Sequence, residues 1–534
     1  MTDTREKHLQ DLQTRLTEKT IDRRQFMTSA IAAGLATTTA LSLAEKAMAA
    51  TPKSGGQFKF GISEASSSDT LDPALTGNLF SINLAHTCRN FLTEIAPDNT
   101  VAGELAESWE PNSDGSEWHF KIRKGVEFHN GKTMDVEDVI ASLNHHRGDG
   151  SSSAAKALLA AITDISTDGK DTVSIALEAP NADFPAVLTD YHLNILPKDG
   201  DSIDWQSGVG TGAYILEDYK PGISASYRKN PNFFKEGKGN FDSVEMLALA
   251  DVNARQTALI TGEIHAMDRA DLKTLDLISR NPDLEVENVP SWAHLSFPAH
   301  MDVDPFTNTD VRLALKYGIN REELVEKILF GFGSIGNDNP ISTAIEYYAD
   351  VGQRPYDPDK AKFHLKQAGL DNLSLSLSTS DAAGVGAVDA AVLYREHLAP
   401  VGIDLTVVRE PSDGYWSDVW LKKPWCAVFW GGRPTADVMF TTAYAEGAPW
   451  NDSHMSHDRF NELLVAARGE LDQAKRAEMY AEMQSIVTNE GSAIIPMFMN
   501  HVFMRRNNVA HGGSLSANWS LDGNRCAERW WFDA

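Results

Sequence analysis

Two hydrophobic periods alternate along this chain, and together they point to a mixed α/β protein. Trp118, Phe120 and Ile122 alternate with His119, Lys121 and Arg123, the two-residue period of a half-buried strand. Asp114-Gly115 and Asn130-Gly131 supply turns on either side. Asp135 then heads a stretch in which Val136, Val139, Ile140 and Leu143 fall on one helical face. Helical spacing returns over 310–327 and again over 357–366, the second starting after Pro355 and stopping near Gly369. Strands are expected at 57–62, 373–377 and 404–408, and helices alternating with strands indicate an α/β sheet domain. Residues 63–73, rich in Ser and Asp, form a loop with the acceptors that start helices.

The apolar run from Cys426 to Trp430 stops abruptly at Gly431, Gly432, Arg433 and Pro434. It reads as a buried strand ending in a tight loop. In an open α/β sheet, ligands sit beyond the carboxyl ends of the strands. A strand end carrying an aromatic, two residues without side chains and an arginine is therefore a candidate site wall, with a purely structural hairpin as the alternative. Trp416, Trp420, Trp425, Trp430 and Trp450 cluster around it in sequence. Aromatic faces suit burial of the apolar or cationic parts of an organic ligand, although Trp420 and Trp425 also suit a core. Tyr415 and Trp416 follow Pro411, Ser412, Asp413 and Gly414, which places them on a loop or helix start at that wall.

Composition narrows the function by exclusion. The 534 residues allow about three domains. A net charge of -27, from 48 basic and 75 acidic residues, argues against nucleic-acid binding and against anchorage on anionic lipid. Cys88, Cys426 and Cys526 are too few and too scattered for a disulfide framework or a zinc site, so no disulfide essential to the fold is expected. Arg23 and Arg24, the mildly apolar run 28–44 and then Ala47-Met48-Ala49 read as a twin-arginine export signal over 1–49. Cleavage after Ala49 would leave the mature chain in the periplasm. Gly331, Gly333 and Gly336 spell GxGxxG but follow a helix, whereas a dinucleotide site needs a strand before them. The sequence contains neither GxxxxGK[ST] nor GxSxG, so it carries neither a phosphate-binding loop nor a nucleophile elbow. His454 with His457, and His145 with His146, lack companion ligands at recognisable spacing, and neither a metal nor a cofactor is expected.

The blocks LAESWE, DG, W-x-F-x-I-R-K-G-V-x-F-H-N-G, EDV and SL, in that order within 105–147, resemble the family 5 extracytoplasmic solute-binding proteins of ABC transporters. That group contains dipeptide, oligopeptide and nickel binders. VGTGAYILEDYKPG (209–222), YRKNPNFF (227–234), ARQTALITGEIHAM (254–267) and the segments 308–333, 356–369 and 397–408 continue the resemblance over nearly all of the mature chain. It implies a periplasmic-binding-protein-like two-lobe fold with a hinge and an extra domain inserted in the first lobe. The first lobe would comprise 50–90, 205–299 and 501–534, the insertion 91–204 and the second lobe 300–500. The implied activity is capture of a small solute, a peptide or peptide-like molecule, by a monomer that is not an enzyme. Its partners would be ABC permease subunits with separate ATPase subunits. Another organic solute (an opine, a modified amino acid, an oligosaccharide) is the alternative, and a secreted hydrolase or periplasmic chaperone on this scaffold a more distant one.

The sharpest feature is a departure from that family. In the peptide-binding members the strand end resembles W-x-x-D, whose aspartate pairs with the peptide's α-ammonium. Counted from Trp430, the same position here is Arg433. A guanidinium inverts the charge presented to the ligand and matches a carboxylate with two parallel hydrogen bonds. The expected ligand-binding set is Arg433, Asp437, Trp430, Trp416, Tyr415, Gly431 and Gly432. Arg433 would hold an anionic group, or Asp437 would take the ammonium in a shifted register. A latch from Arg433 to a carboxylate of the opposite lobe is the competing reading.

Overall fold

Phe58, Phe60 and Ile62 are fully buried because they share one face of Gln57–Ile62, an interior strand whose alternate residues point the same way. A computed structural model describes residues 52–384, 386–412 and 414–533, so the expected export segment lies outside the described residues. The first lobe is built on a seven-stranded sheet. Its order is Tyr214–Lys220, Ser224–Lys229, Ser243–Ala248, Gln57–Ile62, Ala266–Met267, His501–Arg506 and Leu284–Val289. Gln57–Ile62 runs parallel to both neighbours, while the outer pairs are antiparallel. Helix Leu79–Cys88 is buried along its whole length, and Asn78 and Ser81 close its start as a capping box.

A second, four-stranded antiparallel sheet of Ala106–Pro111, Glu117–Ile122, Thr172–Leu177 and Ile162–Thr167 has its own core. Trp118, Phe120 and Ile122 point into that core, as their alternation predicts. Helix Val136–His145 covers it with Val139 and Leu143, starting at an Asp135–Asp138 capping box. This is the extra domain of the two-lobe fold.

Two antiparallel runs cross together into the second lobe. Leu284–Val289 continues through 290–293 into His294–Phe297, and Ile494–Met499 returns through Asn500 into His501–Arg506. Val289 pairs with His501 on one side of the crossing and His294 with Phe498 on the other, so the hinge is a paired ribbon. The second lobe's sheet has the order Gly333–Ile335, Ile494–Met499, His294–Phe297 and Val428–Trp430. The parallel pair Leu373–Thr379 and Ile403–Arg409 extends it through a bridge between Ser378 and Cys426. The apolar run 426–430 therefore forms a regular strand only over its last three residues, because the chain changes partners there. Residues 310–327 divide into two helices, Thr309–Tyr317 and Arg321–Ile328, since Asn320 caps the second by accepting from the Glu323 amide. Gly336 lies so close to the crossing strand that a Cβ would stand 2.2 Å from the Ile495 carbonyl oxygen, which explains this glycine by packing. All three cysteines are buried and free.

Candidate functional site

Trp430 ends its strand beside the hinge, opposite His294. The next turn rests directly on the crossing segment, where a Cβ on Gly432 would stand 2.0 Å from Trp292 Cβ. Only a residue without a side chain fits. The turn brings the Arg433 guanidinium over the Trp430 ring, 5.6 Å from its centroid. One nitrogen, Nη1, donates to the carbonyl oxygens of Gly431 at 3.0 Å and Gly432 at 3.3 Å. Among the described residues no carboxylate lies within 4.0 Å of it. Burial lowers the Arg433 pKa from its ordinary value, and the groups acting against that shift are Tyr191 and Asp190 of the extra domain. Asp190 is itself engaged with His192 Nδ1 at 2.6 Å, and the competing latch from Arg433 to a carboxylate is not formed among the described residues. Beside Arg433, buried His294 leaves Nε2 without a partner, and burial pushes its pKa down to about 4. The strand end thus offers a charged fork with donors to spare and a neutral imidazole.

Asp437 occupies a different setting. It lies in the first turn of Ala436–Ala443, a helix capped by Thr435, and both carboxylate oxygens are 3.2 Å from Arg468 Nε. Burial raises its pKa to about 6 despite the Arg468 charge. Next to it the extra domain touches the second lobe, with Asp183 pairing to Arg476 at 2.7 Å and the Ala182 amide donating to the Arg468 carbonyl at 2.7 Å. Asp437 is therefore paired within its own lobe at the edge of a lobe-to-lobe contact. Tyr415 is buried and donates its hydroxyl to the Ala427 carbonyl at 2.8 Å, so it braces the strand from behind. Trp416 is exposed and packs edge-on against Trp420, their ring centres 5.6 Å apart.

One acidic residue was not found by sequence reasoning. Trp420 and Trp430 both donate their indole N–H to Asp452 Oδ2, at 3.1 and 3.0 Å, and the Trp450 ring closes the cluster at 5.7 and 6.1 Å from theirs. Burial pushes the Asp452 carboxyl up to about 7, partly countered by the two indole donors. In the unfolded chain the same group titrates near 3.9, so the folded protein binds the extra proton between these values. The stability this carboxyl confers is full below about pH 4 and is lost as pH rises through about 7. Asp452→Asn keeps an acceptor for both indoles and removes the titration. Thermal melts at pH 5 and pH 8 are expected to show a smaller alkaline loss in the variant, by on the order of 1 kcal/mol or more, since one pH unit is worth about 1.4 kcal/mol. Parallel losses in the two proteins would contradict the assignment.

The remaining motifs have structural uses. His145 Nε2 is 2.8 Å from Asp72, and His146 Nδ1 is 2.6 Å from Ser153 Oγ. An open groove of about 540 Å³ flanks the hinge between Leu272–Asp276 and Glu322–Ile335, and it does not include Arg433.

Comparison with known proteins bears on the fold and the family. Residues 100–452 match the family model described as bacterial extracellular solute-binding proteins, family 5. The glutathione-binding protein GsiB of Salmonella paratyphi A is 26% identical over 469 residues, covering 85% of this chain and 90% of that protein. Among solved structures, periplasmic binding protein DppA from Helicobacter pylori, in complex with the peptide STSA, superposes with a TM-score of 0.72 at 22% identity, covering 90% of this chain and 99% of that one. AgaA from A. tumefaciens R10, in complex with agropinic acid, gives a TM-score of 0.71 at 21% identity, covering 90% and 99%.

Proposed function

The chain belongs to the bacterial extracellular solute-binding proteins of family 5, and from that membership we propose that it captures a peptide-like solute through a carboxylate held by Arg433. The solute passes to an ABC permease whose ATPase subunits are separate. Binding involves no covalent chemistry, and the protein acts as a periplasmic monomer after cleavage behind Ala49. The observation that carries this reading is the Arg433 fork, partly desolvated over Trp430, with donors that no neighbouring acceptor uses. A carboxylate fits those donors with two parallel hydrogen bonds. Closure about the paired ribbon would seal the solute between the lobes, and opening would release it to the permease. The Asp183–Arg476 pair supports a closed form, because it joins the extra domain to the second lobe.

A second reading is an opine-like carboxylate without a free ammonium. Arg433 in place of the W-x-x-D aspartate favours it, since Asp437 is already paired with Arg468. Calorimetric titration of glutathione, short peptides and opine carboxylates, each beside its amidated form, tests both. The free carboxylate is expected to bind at least about tenfold more tightly than its amide, a difference of about 1.4 kcal/mol or more. Equal affinities would overturn the role given to Arg433, and tight binding of opines alone would favour the second reading. Small-angle scattering should show a smaller radius of gyration with the bound solute than without it.

A further inference from the structure

His300, Asp302 and His454 meet at the end of the second lobe's sheet remote from the hinge. His294 pairs with Trp430 near the crossing, whereas Ala299 pairs with Trp425 at the opposite end of the same run. At about 3.3 Å per residue, His300 is roughly 20 Å along the strand direction from the Arg433 wall. Sequence spacing suggested His457 as the partner of His454, but His457 is used elsewhere. Its Nδ1 accepts from the Phe460 amide, capping Asp458–Gly469, and its Nε2 faces Glu490 at 3.3 Å. The His454 ring stacks instead on His300, with centroids 3.7 Å apart and planes inclined by 14°, and its Nδ1 lies 2.8 Å from Asp302 Oδ1. One ligand atom from each of the three residues lies within 4.8 Å of the other two.

His300 is the informative member. The residue is 5% exposed, and its ring nitrogens, which make no hydrogen bond to another described residue, reach the surface beside His454 and Asp302. Its backbone is held at both groups, donating to the Pro424 carbonyl at 2.8 Å and accepting from the Val303 amide at 3.1 Å. His454 is held at a positive φ of 50° on a segment tied to His300's own loop by the Met301 amide, which donates to the Ser453 carbonyl at 2.9 Å.

We propose that His300, His454 and Asp302 bind a first-row divalent transition cation of the Zn²⁺ or Ni²⁺ type, at a site separate from the solute cleft. Two imidazoles and a carboxylate suit these ions, and three protein ligands leave a position for water. Zinc–ligand distances of about 2.0–2.2 Å require the ligand atoms to draw in to about 4 Å or less and the His454 ring to tilt out of its stack on His300, since each imidazole coordinates in its own ring plane. The Asp302–His454 hydrogen bond would then give way to the metal.

The test uses protein without any engineered histidine tag, stripped with a chelator and titrated with Zn²⁺ and with Ni²⁺ by calorimetry. One equivalent is expected to bind, and His454→Ala and His300→Ala should each weaken it roughly tenfold or more, at least the loss that follows removal of an outer-shell partner. His457→Ala should leave it unchanged. Co²⁺ gives a second readout, a visible ligand-field band that should disappear in His454→Ala. If buried His300→Ala does not fold, His454→Ala alone decides the matter. Absence of binding by all three ions, or unchanged affinity in folded His454→Ala, would overturn the site.

Discussion

Arg433→Ala is expected to lower affinity for the captured carboxylate by about 2–5 kcal/mol, more than a tenfold loss at about 1.4 kcal/mol per decade. Part of that cost arises because the ligand's charge would be buried without a partner. The fold should tolerate the change. Arg433 donates only to the carbonyls of its own turn and rests on one face of Trp430, so no other charge is stranded by its removal. Arg433→Lys keeps the charge but loses the planar fork, and it should recover only part of the affinity. Asp437→Ala should behave differently, since it leaves Arg468 unpaired at the contact with the extra domain. Its expected signature is altered closure and stability, with the preference for acid over amide unchanged. Calorimetry on the three folded variants separates these outcomes, and unchanged affinity in Arg433→Ala would refute a direct contact.

Asp338→Ala is expected to destabilise the second lobe by about 3–5 kcal/mol, the cost of removing one partner from a buried ionic cluster. Asp338 is fully buried and accepts from Arg321 Nη2 with both oxygens at 2.7 Å and from Arg354 Nη1 at 2.6 Å. Oδ1 also accepts from the Ile495 amide at 3.2 Å on the strand that leads to the hinge. Burial alone would raise this carboxyl, but Arg321, Lys316 and Arg354 outweigh it and hold the pKa below its ordinary value. The sign of the pH dependence follows. The contribution is complete above the unfolded value near 3.9 and is lost only as pH falls through the lower folded value. Denaturant unfolding at pH 7 checks the magnitude, and a loss under about 1 kcal/mol would show that the two arginines find other partners.

Much of the scaffold is legible in the sequence because its signals are local. Asp135, Asn308, Asn320 and Asp357 cap their helices as acceptor side chains should. The alternation at 118–122 sets one strand's buried face, and the GxGxxG run follows the helix Arg321–Ile328, as the sequence reading has it. The position of Arg433 is also readable, since it stands three residues after a strand-ending tryptophan, and its contact with a solute is the proposal made above. Tyr415 is not: its aromatic ring suggests a ligand contact, but its hydroxyl is taken by the Ala427 carbonyl. Asp437 fails similarly, because its partner Arg468 is 31 residues away on another helix. Asp452 meets Trp420 and Trp430 from 32 and 22 residues away, and His300 meets His454 across most of the second lobe. Such clusters depend on which strands pair, and no period within either segment encodes that.

Native mass spectrometry of the protein as isolated tests solute capture by Arg433 most directly. One noncovalent adduct per chain is expected, its dissociated mass and fragments identifying a carboxylate-bearing organic solute, with the adduct lost from folded Arg433→Ala. Retention of the same adduct by that variant, or an adduct carrying no carboxylate or other anionic group, would contradict the assignment.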